Sequence, residues 1–299
     1  MDQIHLMHVF VAVGEEEGFA AAARRLDLSP AAVTRAIAGL EERLGVKLLL
    51  RTTRNVRLTE AGRRYLDDTR AILASIDEAN EAAAGVNAAP KGNLSVTAPV
   101  LFGKTFVMPC IVQFLNEYPE VEVSALFLDR IVNLVDEGVD VAVRIGHLPD
   151  SSLRALRVGQ VRRVLCAAPD YLARHPLPQH PADLLRHTII AATGVSPRVE
   201  WKFGAVDDPA MVRLRPRLTV TSNDAAIEAA CAGLGICRLL SYQIADQLTD
   251  GRLKIVLSEH EEAPWPVHLV HRENKFGSSK VRNFIDLLAD QLRANPHLH

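Results

Sequence analysis

Residues 28–62 read LSPAAVTRAIAGLEERLGVKLLLRTTRNVRLTEAG, and the way the chain begins to fold is decided here. Ser29 is a strong N-cap, and Pro30 behind it sits at the first helical position, where its missing N–H costs nothing. Val33, Ile37, Leu40 and Leu44 then form one apolar stripe, and Gly45 stops the helix. Upstream, Phe19, Ala22, Ala23 and Leu26 predict a second helix that ends in the Asp27-Leu28 turn. Two helices joined by a tight turn, the second well capped, are a helix-turn-helix. Before them, Ile4, Met7, Val9, Phe10 and Val13 recur at helical spacing, and Gly14 with Gly18 is expected to close that helix.

Downstream, Leu48 and Leu50, then Val56 and Leu58, bracket a polar tip from Arg51 to Asn55. This reads as a small β-hairpin, a wing behind the helices. A long helix follows, with Thr59 as its N-cap and Glu60 in its first turn. Its apolar and small residues fall at Tyr65, Thr69, Ile72, Ile76, Ala79, Ala83 and Val86, spaced 4, 3, 4, 3, 4 and 3 apart. A seam of period near ~3.5 is that of a coiled coil, and the small residues favour close approach of a second copy. The alternative is a surface helix packed on its own domain. The residues from Ala88 to Asn93 break the helix and read as a linker.

Charge is concentrated in this region. From Arg24 to Arg64 there are ten cations and four anions, a surplus of six in a chain whose formal net charge is −2. A local basic footprint of this kind suits nucleic acid even where the whole chain is slightly acidic. The 299 residues, 48% apolar and 23% charged, fit two ordinary globular domains and exclude wholesale disorder. No run approaches the roughly 18 apolar residues of a membrane span. The first residues carry Asp2 in place of a basic leader, so no secretory signal is expected. Cys110, Cys166, Cys231 and Cys237 lack CxxC spacing and sit among apolar neighbours, as buried thiols of a reducing compartment do. The cytoplasm is the expected location, with no membrane partner.

After Gly92 the pattern becomes α/β. Strands are expected at 94–97, 121–125, 139–145, 164–168, 188–191, 218–221, 236–240 and 266–270. Helices are expected at 104–117, 131–137, 223–232 and 278–292. Such alternation implies parallel, doubly wound sheets in two lobes. Trp201 and Phe203 alternate in a short strand and read as core.

Residues 28–62 resemble the winged helix-turn-helix of LysR-type transcriptional regulators, through the Ser29-capped helix, Leu40-Glu41, Leu44-Gly45, Arg51-Thr52, Leu58-Thr59 and Ala61-Gly62. EGVDVAVRIG (137–146), CAAPDYLARHPLP (166–178) and AGLGICRLL (232–240) resemble that family's effector domain, so the likeness runs along nearly the whole chain. It implies an N-terminal all-α winged helix-turn-helix at 1–58 and a coiled-coil linker helix with its hinge at 59–91. A bilobed effector-binding domain like the periplasmic binding proteins would fill 92–299, with lobe I at about 92–161 and 268–299 and lobe II at about 162–267. Two crossover strands, around 164–167 and 266–270, would join the lobes. The family assembles as dimers or tetramers, and the helical seam from Tyr65 to Val86 independently asks for a homo-oligomer. Its partners would be double-stranded DNA, a small-molecule effector and, as a further candidate, RNA polymerase.

A recognition helix lays its N-terminal residues against base edges in the major groove. The candidate DNA-binding residues are therefore Ser29, Pro30, Ala31, Ala32, Thr34 and Arg35. Thr34 offers a hydroxyl and a methyl group, and Arg35 a guanidinium for guanine or phosphate. Arg51 and Arg54, at the wing, are placed to reach phosphates or the minor groove; the alternative for each arginine is a solvated surface charge. The family often carries Ser and Gln at the positions of Thr34 and Ala36, so Ala36 suggests that part of the polar base readout is missing or supplied elsewhere.

In α/β lobes, ligands bind beyond the carboxyl ends of strands. This nominates Val100, Leu101, Phe102, Gly103 and Lys104 after the first strand, and Ser222 and Asn223 in the loop Thr221-Ser222-Asn223-Asp224. By the family's pattern Leu128 and Asp129, next to Arg130, join them, as do Thr193 and Gly194. Gly103 would let backbone approach the ligand, and Lys104, Arg130 or Arg144 would suit a carboxylate. Asp129 and Asp224 would oppose one or pair with the cations. Apolar Val100 to Phe102, where many members carry Ser or Thr, leave a more apolar ligand open. Capping alone also explains Ser222 and Asn223, and a salt bridge to an acid such as Glu228 also explains Arg144.

An enzyme, or a solute-binding protein, on a bilobed periplasmic-binding-like fold is the alternative. It finds little support: Gly233-Leu234-Gly235 is followed by Arg238 where a dinucleotide loop needs glycine, and neither GxxxxGK[ST] nor GxSxG occurs. His175, His180 and His187 lie in a Pro-rich loop without HExxH spacing. No catalytic residue, cofactor or metal is expected.

Overall fold

The computed structural model describes residues 2–299 except 52–55, 85–88, 131, 135–136, 150–152, 193–198, 205–209 and 273–277, and describes the backbone alone at 51, 71, 74, 77–79 and 81–84. The chain divides into two units, Met1–Ala88 and Ala89–His299.

In the first unit, α1 (Gln3–Glu16) is capped by the Asp2 carboxylate and runs through Gly14 to a left-handed Glu17. The expected stop at Gly14 is absent because this glycine serves packing: a Cβ there would stand 3.3 Å from the Leu66 methyls. Next come α2 (Phe19–Arg25) and α3 (Pro30–Leu44), which the Ser29 hydroxyl caps by accepting from Ala32 N–H at 3.2 Å and which Gly45 ends at φ 68°. Val33, Ile37 and Leu40 point into a core with Phe10, Val13, Ala22 and Leu66, whereas Leu44 is exposed.

The wing is β1 (Leu49–Arg51) paired antiparallel with β2 (Val56–Leu58), Leu49 facing Leu58. Leu48 and Leu49 are buried, while Leu50, opposite Arg57, is 56% exposed, so the inward residues are 48 and 49 instead of 48 and 50. Thr59 starts α4 (Glu60–Ala84): its hydroxyl accepts from Gly62 N–H at 2.8 Å and donates to Lys47 C=O at 2.8 Å. Along the seam, Tyr65 packs on Phe10 with ring centroids 5.4 Å apart and Thr69 is fully buried. These first turns follow the alternative of a helix packed on its own domain. Exposed apolar surface begins at Ile72, 43% accessible. The side chains of Ala79 and Ala83, and Val86 altogether, lie outside the described residues.

The second unit starts with β3 (Gly92–Ala98), α5 (Val100–Phe102), a wide π-type turn (Gly103–Val107) and α6 (Met108–Glu117). The helical stretch thus opens four residues earlier than expected, and its wide turn ends two residues before Pro109, which has no N–H for the ladder. There follow β4 (Val121–Phe127), β5 (Val141–Ile145) and β6 (Arg154–Val161). The described residues of the helix expected at 131–137 form no helix, and Val132 and Leu134 are buried beside Val139 and Val270. β6 was not foreseen, because its half-buried pattern gives no alternation to read.

After β6 the chain forms β7 (Arg163–Ala167), α7 (Pro169–Arg174), β8 (Ile189–Ala192), the hairpin β9 (Glu200–Phe203) and β10 (Ala210–Arg213), β11 (Leu218–Val220), α8 (Asn223–Cys231), β12 (Ile236–Leu240), α9 (Ala245–Thr249) and β13 (Lys254–Val256). It closes with β14 (Trp265–His271) and α10 (Ser279–Arg293).

Two five-stranded sheets result, ordered β4-β3-β5-β14-β6 in lobe I and β11-β8-β12-β7-β13 in lobe II. They are mixed and not purely parallel. β3 runs parallel to β4 and β5, and β8 to β11 and β12, but β14 and β7, which follow the crossings between lobes, run antiparallel to their neighbours. A strand that arrives from the other lobe enters its sheet from the opposite end, and its direction follows. The first crossing is Arg162 alone, between β6 and β7; the second is 257–264. Trp265 to Val267 already pair with Val161 to Gly159, so lobe I resumes ahead of residue 268.

Trp201 and Phe203 are buried in the lobe II core. Cys110, Cys166 and Cys237 are buried and Cys231 is half-buried, all as free thiols. No helix among the described residues is long and apolar enough to cross a membrane.

Candidate functional site

The N-terminal face of α3 presents Ser29, Pro30, Ala31 and Arg35 as exposed residues, with Ala32 and Thr34 half-exposed. Thr34 donates its hydroxyl hydrogen to Pro30 C=O at 2.9 Å, which leaves its oxygen lone pairs able to accept. Arg35 forms no ion pair among the described residues, nor do Arg24, Arg43, Arg57 and Arg63. By contrast Arg25 is held by Glu15 at 2.7 Å, and Arg70 of α4 meets the same carboxylate at 2.8 Å. Within the cationic surplus Arg25 thus ties α1 to α2, as Arg70 beyond it ties α1 to α4, while the arginines without an ion pair are available. Ala36 is buried in the core, so its small side chain leaves no gap in the outward face. The side chain of Arg51, and Arg54 entirely, lie outside the described residues.

Glu41 holds this surface in shape and was not foreseen. It is a buried carboxylate at the end of α3; Oε1 accepts from the N–H groups of Leu48 at 3.0 Å and Leu49 at 3.1 Å, and Oε2 pairs with Lys47 Nζ at 2.7 Å. Burial alone would raise its pKa, but the Lys47 ammonium and the two amides outweigh it and hold the carboxyl below its ordinary value. Gly62 completes the junction: a Cβ there would stand 2.0 Å from Leu48 O, so α4 can lie on the wing strand only without a side chain. The signal in the sequence is an acid directly beside the apolar stripe, at 41 after Leu40.

In the second unit a cavity of about 460 Å³ opens between the lobes, lined by Val100, Leu101, Leu128, Asp129, Arg130, Thr221, Ser222, Asn223 and Asp224. These residues follow the carboxyl ends of β3, β4 and β11, where ligands of α/β sheets bind. Asp129 bridges the two sides: Oδ1 accepts from Val100 N–H at 3.0 Å and Oδ2 from the Asn223 side-chain amide at 3.3 Å. Ser222 caps α8 by accepting from Ala225 N–H at 3.4 Å. Arg130 is gripped by both oxygens of Glu137, at 2.8 and 2.7 Å.

Of the residues expected here, Val100, Leu101, Leu128, Asp129, Ser222 and Asn223 line the cavity. Phe102 does not; it is fully buried, its ring 4.8 Å from Phe106 and 5.3 Å from Tyr242. Gly103 serves the Phe127 ring, 2.4 Å from where its Cβ would be, and not a ligand. Lys104 is exposed and outside the lining. Arg144 is not part of the lining: its guanidinium donates to Val132 C=O, burial lowers its pKa, and the acid bearing on it is Glu137 in place of Glu228. Thr193 and Gly194 lie outside the described residues.

Tyr242, which follows the lobe II strand β12, belongs to the hydrophobic core of lobe I, so its ring joins the two lobes. Both crossings are pinned by charge. Arg162 pairs with Glu261 at 3.3 Å, and Glu262 accepts from Arg163 at 2.7 Å and Arg238 at 2.8 Å. Arg163 stacks over Trp265 at 4.3 Å and Arg238 over Phe203 at 5.2 Å. Burial pushes the Arg238 guanidinium down to about 10, aided by Arg163 and opposed by Glu262.

Among the described residues no cluster of three or more His, Cys, Asp or Glu side chains is placed to hold a metal ion. His175 and His187 pack instead on Tyr171, whose hydroxyl lies 3.1 Å from His187 Nδ1.

Comparison with known proteins gives two matching family models. "Bacterial regulatory helix-turn-helix protein, lysR family" matches residues 4–63, and "LysR substrate binding domain" matches residues 87–293. The HTH-type transcriptional activator AaeR of Escherichia coli is 32% identical over 97% of this chain and 94% of its own length. The HTH-type transcriptional regulator CrgA of Neisseria meningitidis is 32% identical over 96% of each chain. The solved structure of CrgA matches with TM-score 0.62 and 30% identity over 97% of this chain and 99% of that one. Full-length AphB of Vibrio cholerae matches with TM-score 0.61 and 27% identity over 97% and 99%.

Proposed function

The chain belongs to the LysR-type transcriptional regulators, DNA-binding proteins with an effector-binding domain, and from that premise we propose how its own residues do the work. Relatives across the full length carry the names of regulators and not of enzymes. The family binds DNA and small-molecule effectors and oligomerises.

In this reading α3 enters the major groove N-terminus first. Ser29, Pro30, Ala31 and Ala32 approach the backbone and base edges, Thr34 offers its oxygen and methyl group, and Arg35 pairs with a guanine or a phosphate. Arg51 and Arg54 contact phosphates from the wing. The observation that carries this assignment is Arg35: an exposed guanidinium that forms no ion pair among the described residues, early in a capped helix. A second copy binds along α4 on the side of Ile72, which is exposed, so that two heads meet one pseudo-palindromic operator. The domains in this scheme are the head at 1–58, the linker helix and hinge at 59–91 and the effector domain at 92–299. The protein works in the cytoplasm without catalysing a reaction, and RNA polymerase is a further candidate partner at the promoter.

The effector sits in the cavity between the lobes and stabilises one degree of closure over another, and the difference in its affinity for the two states sets operator binding. Gel retardation of the DNA upstream of the protein's own gene is the test. A shift that weakens in Arg35→Ala supports the assignment, and a shift unchanged by that substitution removes Arg35 from it.

A further inference from the structure

The cavity between the lobes carries a charge that bears on what it admits. Its apolar wall is Val100, Leu101 and Leu128, and its ionisable groups are Asp129, Asp224 and Arg130. Arg130 is paired with Glu137, whose two carboxylate oxygens accept from its Nη1 and Nη2. Lys104 stands outside the lining, and the Arg144 guanidinium is turned to Val132 C=O. No cation is therefore left unpaired around the cavity among the described residues, while Asp224 forms no ion pair or hydrogen bond with any of them.

Asp129 joins the two walls of the cavity. One of its oxygens accepts from backbone of lobe I at Val100, the other from Asn223 at the start of α8 in lobe II. The chain's own carboxylate thus spans the two lobes, and an incoming carboxylate would meet two like charges and no unpaired cation among the described residues. An ammonium group meets the opposite situation, since it donates up to three hydrogen bonds and finds acceptors on both sides.

Resting on the reading of this domain as effector-binding, we propose that its effector is a small organic cation: an ammonium head held between Asp129 of lobe I and Asp224 of lobe II, with an apolar body against Val100, Leu101 and Leu128. Because the two carboxylates come from different lobes, the head joins them and favours closure.

The test measures binding of phenethylammonium, 3-phenylpropanoate and 2-phenylethanol, and of hexylammonium against hexanoate, to the full-length protein by calorimetry and thermal shift. The ammonium compounds are expected to bind and raise the unfolding temperature, and the carboxylates to do neither. Asp224→Asn, an exposed change outside any described contact, weakens ammonium binding by about tenfold, the loss of one charge-assisted partner. Asp129→Asn narrows or reverses the preference. Carboxylates that bind as tightly as their ammonium counterparts overturn the proposal, as do ammonium affinities untouched by Asp224→Asn or ammonium compounds that fail to bind at all. Gel retardation on the same preparation keeps the two questions apart. Lost operator binding counts against the regulator reading, whereas intact operator binding with a carboxylate preference counts against this proposal alone.

Discussion

Removing the Glu41 carboxylate should unfasten the wing from the recognition helix. In Glu41→Ala the N–H groups of Leu48 and Leu49, both buried, lose their acceptor. A buried donor left unsatisfied costs about 1–3 kcal/mol, so the pair costs about 2–6 kcal/mol before water enters to relieve it. The Lys47 partner is 76% exposed and adds little, about 0–1 kcal/mol. A loss near ~3 kcal/mol is a large part of what holds a small domain folded. The assay follows from where the tryptophans lie. Trp201 and Trp265 both belong to the second unit, so their fluorescence reports that unit alone, while far-ultraviolet circular dichroism also follows α1 to α4. Urea titration of Glu41→Ala is expected to show helix lost at lower denaturant than in the unsubstituted protein, with the tryptophan transition unmoved. Hydrogen exchange at Leu48 and Leu49 should quicken in parallel. A variant within about 0.5 kcal/mol of the unsubstituted protein would refute the pinning role.

Four further outcomes are expected. The Glu41 carboxyl is held below its ordinary 4.5, so its stabilisation is complete above that value and is lost as pH falls through the lowered one; Glu41→Gln should flatten this acid limb in a pH series of helix content. Gly62→Ala should destabilise the head, since its Cβ meets Leu48 O at 2.0 Å, whereas Gly39→Ala, with nothing within 4 Å, should stabilise α3 by about 0.5–1 kcal/mol in the same melt. Arg35→Ala should weaken operator binding by about 1–3 kcal/mol at fixed salt, and unchanged retardation would remove its role. Glu262→Gln leaves Arg163 and Arg238 facing each other without their shared anion; it should cost about 3–5 kcal/mol and shift the emission of Trp265, over which Arg163 stacks.

The elements easiest to read in the sequence were those set by local chemistry. Ser29-Pro30 and Gly45 marked both ends of α3 because caps act through their immediate neighbours. The strand-end loops led to four of the nine cavity residues, because ligand sites in α/β sheets follow chain direction, which alternation reveals, and the family resemblance added Leu128 and Asp129. What escaped depended on contacts distant in sequence. Gly14 and Gly103 read as a helix stop and a ligand approach, but each is bare for a partner 52 and 24 residues away, Leu66 and Phe127. The mixed direction of β7 and β14 follows from the chain's passage between lobes, which no local pattern encodes. Arg144 shows why a cation near a strand end is weak evidence for an anion site: a carbonyl one loop away satisfied it first.

The central claim is that two capped, arginine-bearing helices meet one duplex, and the mass of the complex tests it most directly. Light scattering of the full-length protein titrated with DNA from its own promoter region should give an even number of chains per duplex at saturation, with affinity falling as salt rises. One chain per duplex, or no complex with any fragment of that region at low salt, would contradict the account.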